Sequence, residues 1–92
     1  HTCAVLSGGT VKCWGVGDWG ERGNGSGASG ATPVSVSGIS TAISVSAGGS
    51  GGSGHACAVL SGGTVKCWGC GSFGRLGDGS NTCGQSTPVT VK

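Results

Sequence analysis

The sequence predicts an all-β protein built from two tandem antiparallel modules and stapled by disulfides. Three observations carry this. His1-Thr-Cys-Ala-Val-Leu-Ser-Gly-Gly-Thr-Val-Lys-Cys-Trp-Gly15 returns as His55 through Gly69 with a single change, Thr2 to Ala56. Duplication of that quality marks a tandem repeat. Short runs of β-branched and apolar residues alternate with glycine-rich turns, and no stretch shows the 3.6-residue period of a helix. Six cysteines fall in a chain of 92 residues, a density typical of small domains whose cores need bracing.

The repeated stretch reads as a hairpin. Cys3-Ala-Val-Leu6 and Thr10-Val-Lys-Cys-Trp14 are strand-like, and Ser7-Gly8-Gly9 lies between them. With a three-residue loop and Gly9 in the left-handed conformation, Cys3 faces Cys13 and Val5 faces Val11. With a two-residue loop, the cysteines point to opposite faces of the hairpin. The three-residue loop and the Cys3–Cys13 bridge therefore stand or fall together, and the same holds for Cys57 and Cys67. Each bridge closes a loop of about ten residues, worth roughly 2.5–3 kcal/mol by chain entropy.

Composition narrows the function classes. Five basic and three acidic residues leave a net charge of +2 with no basic cluster, so nucleic acid is not the expected partner. No apolar run is long enough to span a membrane as a helix. Glycine makes up 23 residues, and there is one Phe, no Tyr and no Met. So thin a core calls for staples, and the cysteines place the chain in an oxidising compartment, extracellular or periplasmic. Trp14, Trp19, Trp68 and Phe73 are the expected core aromatics, with Leu6, Leu60 and Leu76 beside them.

Beyond each hairpin lies a glycine-punctuated loop, Gly15 through Ser26 and its copy Gly69 through Ser80. The glycines recur in step and Trp19 matches Phe73, which predicts a fixed loop pinned by one buried aromatic. Pro33-Val-Ser-Val-Ser37 and Pro88-Val-Thr-Val-Lys92 alternate as half-buried strands do, and their prolines suit an edge position. A serine-rich strand is expected over about residues 42–47. Gly48 through Gly54 has a flexible-linker composition, either engineered or a local insertion. The expected domains are a first repeat at 1–47, this linker at 48–54, and a second repeat at 55–92 that is short of one strand. Seven candidate strands result.

The motifs His-x-Cys-Ala-Val-Leu-Ser-Gly-Gly-Thr-Val-Lys-Cys-Trp-Gly, Phe73-Gly-Arg-Leu-Gly-Asp-Gly79 and Thr87-Pro-Val-Thr-Val91 resemble regulator-of-chromosome-condensation-type β-propeller repeats. Ile43-Ser-Val-Ser-Ala-Gly-Gly49 is similar to the lead-in strand of that repeat, and the cysteine-bearing version resembles extracellular bacterial members. The first repeat departs from the pattern at Glu21-Arg22-Gly23, where the second has Arg75-Leu76-Gly77. The resemblance implies four-stranded antiparallel blades, about seven of which normally close a propeller. Two blades cannot close. The expected partners are therefore copies of the same chain, in a closed ring or a filament, or further repeats of a longer chain. Exposed strand edges would favour either outcome.

No residue pattern points to catalysis, and no cofactor or metal is expected. Cys70 and Cys83 stand outside the repeat and are expected to form a third disulfide. The competing reading, a zinc site from Cys67-x-x-Cys70 with Cys83 and His55, is weakened because Cys67 already has Cys57. His1 and His55 are expected to be structural hydrogen-bonders at strand starts. Asp78-Gly-Ser-Asn81 reads as a solvated turn, not a calcium loop. Asp18, Glu21 and Arg22 read as solvated surface, and Lys12 and Lys66 as exposed. Asn24-Gly-Ser26 is a glycosylation sequon. The leading expectation is a non-enzymatic structural or self-assembling protein. The alternative is an extracellular module whose loops bind protein or carbohydrate.

Overall fold

A computed structural model describes residues 1–49 and 53–92. Seven strands form two antiparallel sheets. The first sheet holds β1 (Thr2–Val5), β2 (Val11–Gly15) and β3 (Gly30–Ser35) in that order. The second holds β4 (Ala42–Gly48), β5 (His55–Leu60), β6 (Val65–Gly69) and β7 (Gln85–Thr90). The only helical element among the described residues is a 3-10 turn at Ser72–Gly74.

Both hairpins adopt the three-residue loop. Cys3 pairs with Cys13 and Val5 with Val11, and Cys57 pairs with Cys67 and Val59 with Val65. The Leu6 N–H donates to the Thr10 carbonyl at 2.9 Å, and Gly9 takes φ +91°. A side chain there would also collide with the Ser40 carbonyl, so glycine is required twice over. The outer strands pair through a bulge between Cys13 and Gly15, repeated between Cys67 and Gly69. The bulge lets pairing run past the prolines, so β3 and β7 begin three residues before Pro33 and Pro88. Both prolines lie on edge strands, where no ladder hydrogen bond is lost.

The sheet boundary differs from the expected domain boundary. The serine-rich strand joins the second sheet, with Ser46 opposite Cys57 and Ser44 opposite Val59. The four-stranded sheet therefore spans 42–90, and the first sheet is the one with three strands. Residues 36–41 carry the chain from one sheet to the next. Residues 50–52, the middle of the expected linker, lie outside the described residues. Its end is structural: the buried Gly54 accepts a hydrogen bond from Cys70 N–H at 2.9 Å.

The core sits between the sheets. Residues opposite one another across strands share a face, so the first sheet presents Cys3, Val5, Val11 and Cys13 inward, joined by Val36. The second answers with Ala56, Ala58, Leu60 and Trp68. Ile39 and Ala42, on the connection, close one side of the cluster. Trp68 is fully buried. Its burial removes on the order of 200 Å² from water, about 5 kcal/mol as an upper bound.

Candidate functional site

The most constrained place in the molecule is the junction where the Gly15–Ser26 loop of the first sheet docks on the second. Tight turns shape the loop, with Gly20 N–H donating to Gly17 O and Gly23 N–H to Gly20 O, each at 3.0 Å. Glu21 is carried inward and is fully buried. Its Oε1 accepts from Trp19 N–H at 2.8 Å and its Oε2 from Gly54 N–H at 3.2 Å. Its backbone carbonyl accepts the Trp68 indole Nε1–H at 2.9 Å. One residue thus ties its own loop, the lead-in to β5 and the central tryptophan of the second sheet.

The backbones meet closely here. A Cβ at Gly20 would lie 2.5 Å from Ser86 Cα, and one at Gly23 would lie 2.9 Å from Trp68 Cδ1 and Nε1. Gly25 N–H donates to Ser86 O at 2.9 Å. Arg22 is also buried, with Nη1 donating to Ala28 O at 2.9 Å. Of the charged trio expected on the surface, only Asp18 is exposed, where it accepts a hydrogen bond from Ser29 Oγ. Glu21 and Arg22 are buried instead: the N–H groups of Trp19 and Gly54 satisfy the carboxylate, and the loop's own Ala28 carbonyl accepts from the guanidinium, whose Nε has no partner among the described residues. The break in the repeat pattern at these two residues was the available signal.

The expected core aromatics divide. Trp68 is buried and Trp14 is half-buried on the outer face of the first sheet. Trp19 and Phe73 do not pin their loops. Trp19 is 42% exposed and Phe73 95% exposed. Phe73 sits at φ 61°, a left-handed conformation that turns its ring outward. The loop interiors are filled by the buried Leu76 in the second copy and the buried Arg22 in the first.

All six cysteines are bonded: Cys3–Cys13, Cys57–Cys67 and Cys70–Cys83. The C-x-x-C therefore offers no thiolate to a metal, and the described residues hold no cluster of three metal-ligating side chains. Three intramolecular disulfides are compatible with an oxidising compartment, and no helix among the described residues is long and apolar enough to cross a membrane.

The histidines differ from expectation. His1 Nε2 and His55 Nδ1 are buried without hydrogen-bond partners among the described residues. Their rings pack on glycine backbone instead, His1 against Gly54 and His55 against Gly48. Burial, and then the nearby Arg75 charge, hold the His55 pKa below its ordinary value. Asp78 forms the expected turn, its Oδ1 accepting from Ser80 N–H at 3.1 Å and Ser80 Oγ at 2.9 Å. Those bonds lower its pKa. Lys12 and Lys66, expected to be exposed, are half-buried, as lysines are when apolar stems are covered and the ammonium stays in water.

Residues 42–75 match the family model described as the regulator of chromosome condensation (RCC1) repeat. The match begins at the first residue of β4, which agrees with the sheet boundary. The whole chain is 38% identical over 93 residues to the ultraviolet-B receptor UVR8 of Arabidopsis thaliana, covering 20% of it. It is 30% identical over 92 residues to the E3 ubiquitin-protein ligase HERC2 of Homo sapiens, covering 2% of that protein. The chain thus spans a small fraction of either relative. Duplicated hairpins, a four-stranded sheet that starts where the family match starts, and a loop docked on the neighbouring sheet lead to one conclusion: the chain is built of repeats of the regulator of chromosome condensation type, set side by side as β-propeller blades.

Proposed function

We propose that the chain is a non-enzymatic structural protein, a pair of propeller blades whose outward faces are covered by further blades of the same kind in an extracellular or periplasmic assembly. One observation carries this reading. The two faces packed together inside the chain each have a duplicate that points away from the other sheet. Cys3, Val5, Val11, Cys13 and Val36 form the inward face of the first blade. Their twins Cys57, Val59, Val65, Cys67 and Val91 form the outward face of the second. Ala56, Ala58, Leu60 and Trp68 form the inward face of the second blade. Their twins Thr2, Ala4, Leu6 and Trp14 form the outward face of the first. Cys67 is buried within its own sheet, but Leu6 and Val59 are exposed and Val65, Val91, Ala4 and Trp14 only half-buried, and apolar faces left partly open favour association.

The test is native mass spectrometry with light scattering over a concentration series of the oxidised chain. Assemblies at multiples of 8.6 kDa are expected, growing with concentration. A strict monomer at the highest soluble concentration overturns the reading.

A further inference from the structure

We infer that the covering partner is a second copy of this chain, bound head to tail, with the outward face of one copy's first blade seated under the docking loop of the next copy's second blade. This rests on the structural reading above and adds its polarity and its contacts.

The internal junction is the template. Its loop-bearing half is Val11, Cys13, Val36 and the Gly15–Ser26 loop. Its receiving half is Ala56, Ala58, Trp68 and the backbone at Ser86. Both halves recur with their chemistry intact. On the loop-bearing side the five face residues are identical between copies. On the receiving side only Thr2 for Ala56 differs, and Ser86 becomes Ala31, which is small and exposed.

Exposure marks the halves as unfilled. Trp19, beside the docked loop residues Gly20 and Gly23, is 42% exposed, and its twin Phe73 is 95% exposed. Gly20 and Gly23 are buried, and their twins Gly74 and Gly77 are exposed. Trp68 is fully buried and Trp14 half-buried.

The hydrogen bonds follow the same logic. Inside the chain, Trp68 Nε1–H donates to Glu21 O and Gly25 N–H to Ser86 O. At the copy-to-copy junction the equivalent bonds run from Trp14 Nε1–H to Arg75 O and from Gly79 N–H to Ala31 O. Backbone carbonyls supply both acceptors, so the change from Glu21 to Arg75 leaves them in place.

A two-fold arrangement fits worse. Placing two receiving faces together opposes Lys12 to Lys12. Placing two loop-bearing faces together gives neither loop a backbone to dock on. A contact between unlike faces propagates, which produces a ring or a filament.

Two variants separate these geometries. Trp14→Arg disables the receiving face, and Val65→Lys disables the loop-bearing face. Each alone should weaken association at least about thirtyfold. Mixed in equal amounts, they should form a 1:1 dimer that grows no further, because each supplies the face the other lacks. Slow exchange of the buried, hydrogen-bonded Trp68 indole N–H is the check that each variant is folded, and the Trp14 indole N–H of the wild type should become equally slow on association. If the wild type associates but the mixture gives no 1:1 dimer, or either variant associates like the wild type, the head-to-tail contact is wrong while the scaffold reading stands. A monomeric wild type removes both.

Discussion

Gly23→Ala and Gly77→Ala form a matched pair that isolates the cost of crowding the blade junction. The two glycines are twins by repeat, with φ +69° and +70°. Alanine costs about 1–2 kcal/mol at either position for the left-handed backbone alone. Their surroundings differ. A Cβ at Gly23 stands 2.9 Å from Trp68 Cδ1, Trp68 Nε1 and Val36 Cγ1. Ordinary carbon contacts lie at about 3.5–4.0 Å, so Trp68 must retreat by roughly 0.6 Å or more from a fully packed site. Overpacking of that kind costs about 1–3 kcal/mol. At Gly77 the nearest atom is Val91 Cγ1 at 3.1 Å, and the half-buried valine can yield. Gly23→Ala should therefore lose about 2–5 kcal/mol and Gly77→Ala about 1–2 kcal/mol. Guanidinium denaturation of the dilute, oxidised proteins, followed by tryptophan emission, measures both. Equal losses would mean that the two blades are not clamped through Gly23 and Trp68, and the argument from the junction would collapse.

Trp68→Phe removes the indole donor and strands the buried Glu21 carbonyl, costing about 1–3 kcal/mol beyond lost packing, whereas Trp14→Phe in the dilute chain should cost under about 1 kcal/mol; thermal or chemical melts compare them. Replacing Cys70 and Cys83 together by serine opens a loop of sequence separation 13, a loss of about 3 kcal/mol. Hydrogen exchange should localise it to the loop between β6 and β7, and a loss spread evenly over both blades would contradict a local staple. Stability should also fall below neutral pH. The folded His55 pKa lies below its ordinary value of 6.5, so the unfolded chain takes up that proton first. The contribution is full above pH 6.5 and declines as pH drops from there towards the folded value. His55→Asn should flatten that part of a stability–pH curve, and an unchanged slope would remove His55 as its cause.

The hairpins were legible because their determinants are local. Loop length fixes register, register places Cys3 opposite Cys13, and a one-residue slip would have separated the sulfurs. The duplication then transferred the same conclusion to Cys57 and Cys67. Cys70 and Cys83 were legible by subtraction, as the two cysteines the repeat left over. The strand boundaries near Pro33 and Pro88 were less so, because the bulge at Trp14 and Trp68 extends pairing past residues that would otherwise end it.

What escaped the sequence was everything decided between blades. Trp19 and Phe73 look like core residues by type, yet both lie on turns and are exposed, Phe73 through a left-handed backbone that swings its ring out of the loop. Glu21 looks like surface by type, yet it is buried because Gly54 and Trp19 offer it two N–H groups from places that no pattern in the chain connects. The serine-rich strand is equally ambiguous in sequence, because six residues separate it from the strand on either side; it pairs with β5, with Ser46 opposite Cys57. These errors share a physical cause. A repeat encodes the inside of its own module in its periodicity, but it encodes the face it shares with a neighbour only through residues that seem misplaced when the module is read alone. The same reasoning makes the exposed twins informative. A residue that looks misplaced at the open end of the chain, such as the 95% exposed Phe73, has the environment its counterpart would have if the adjoining blade were taken away.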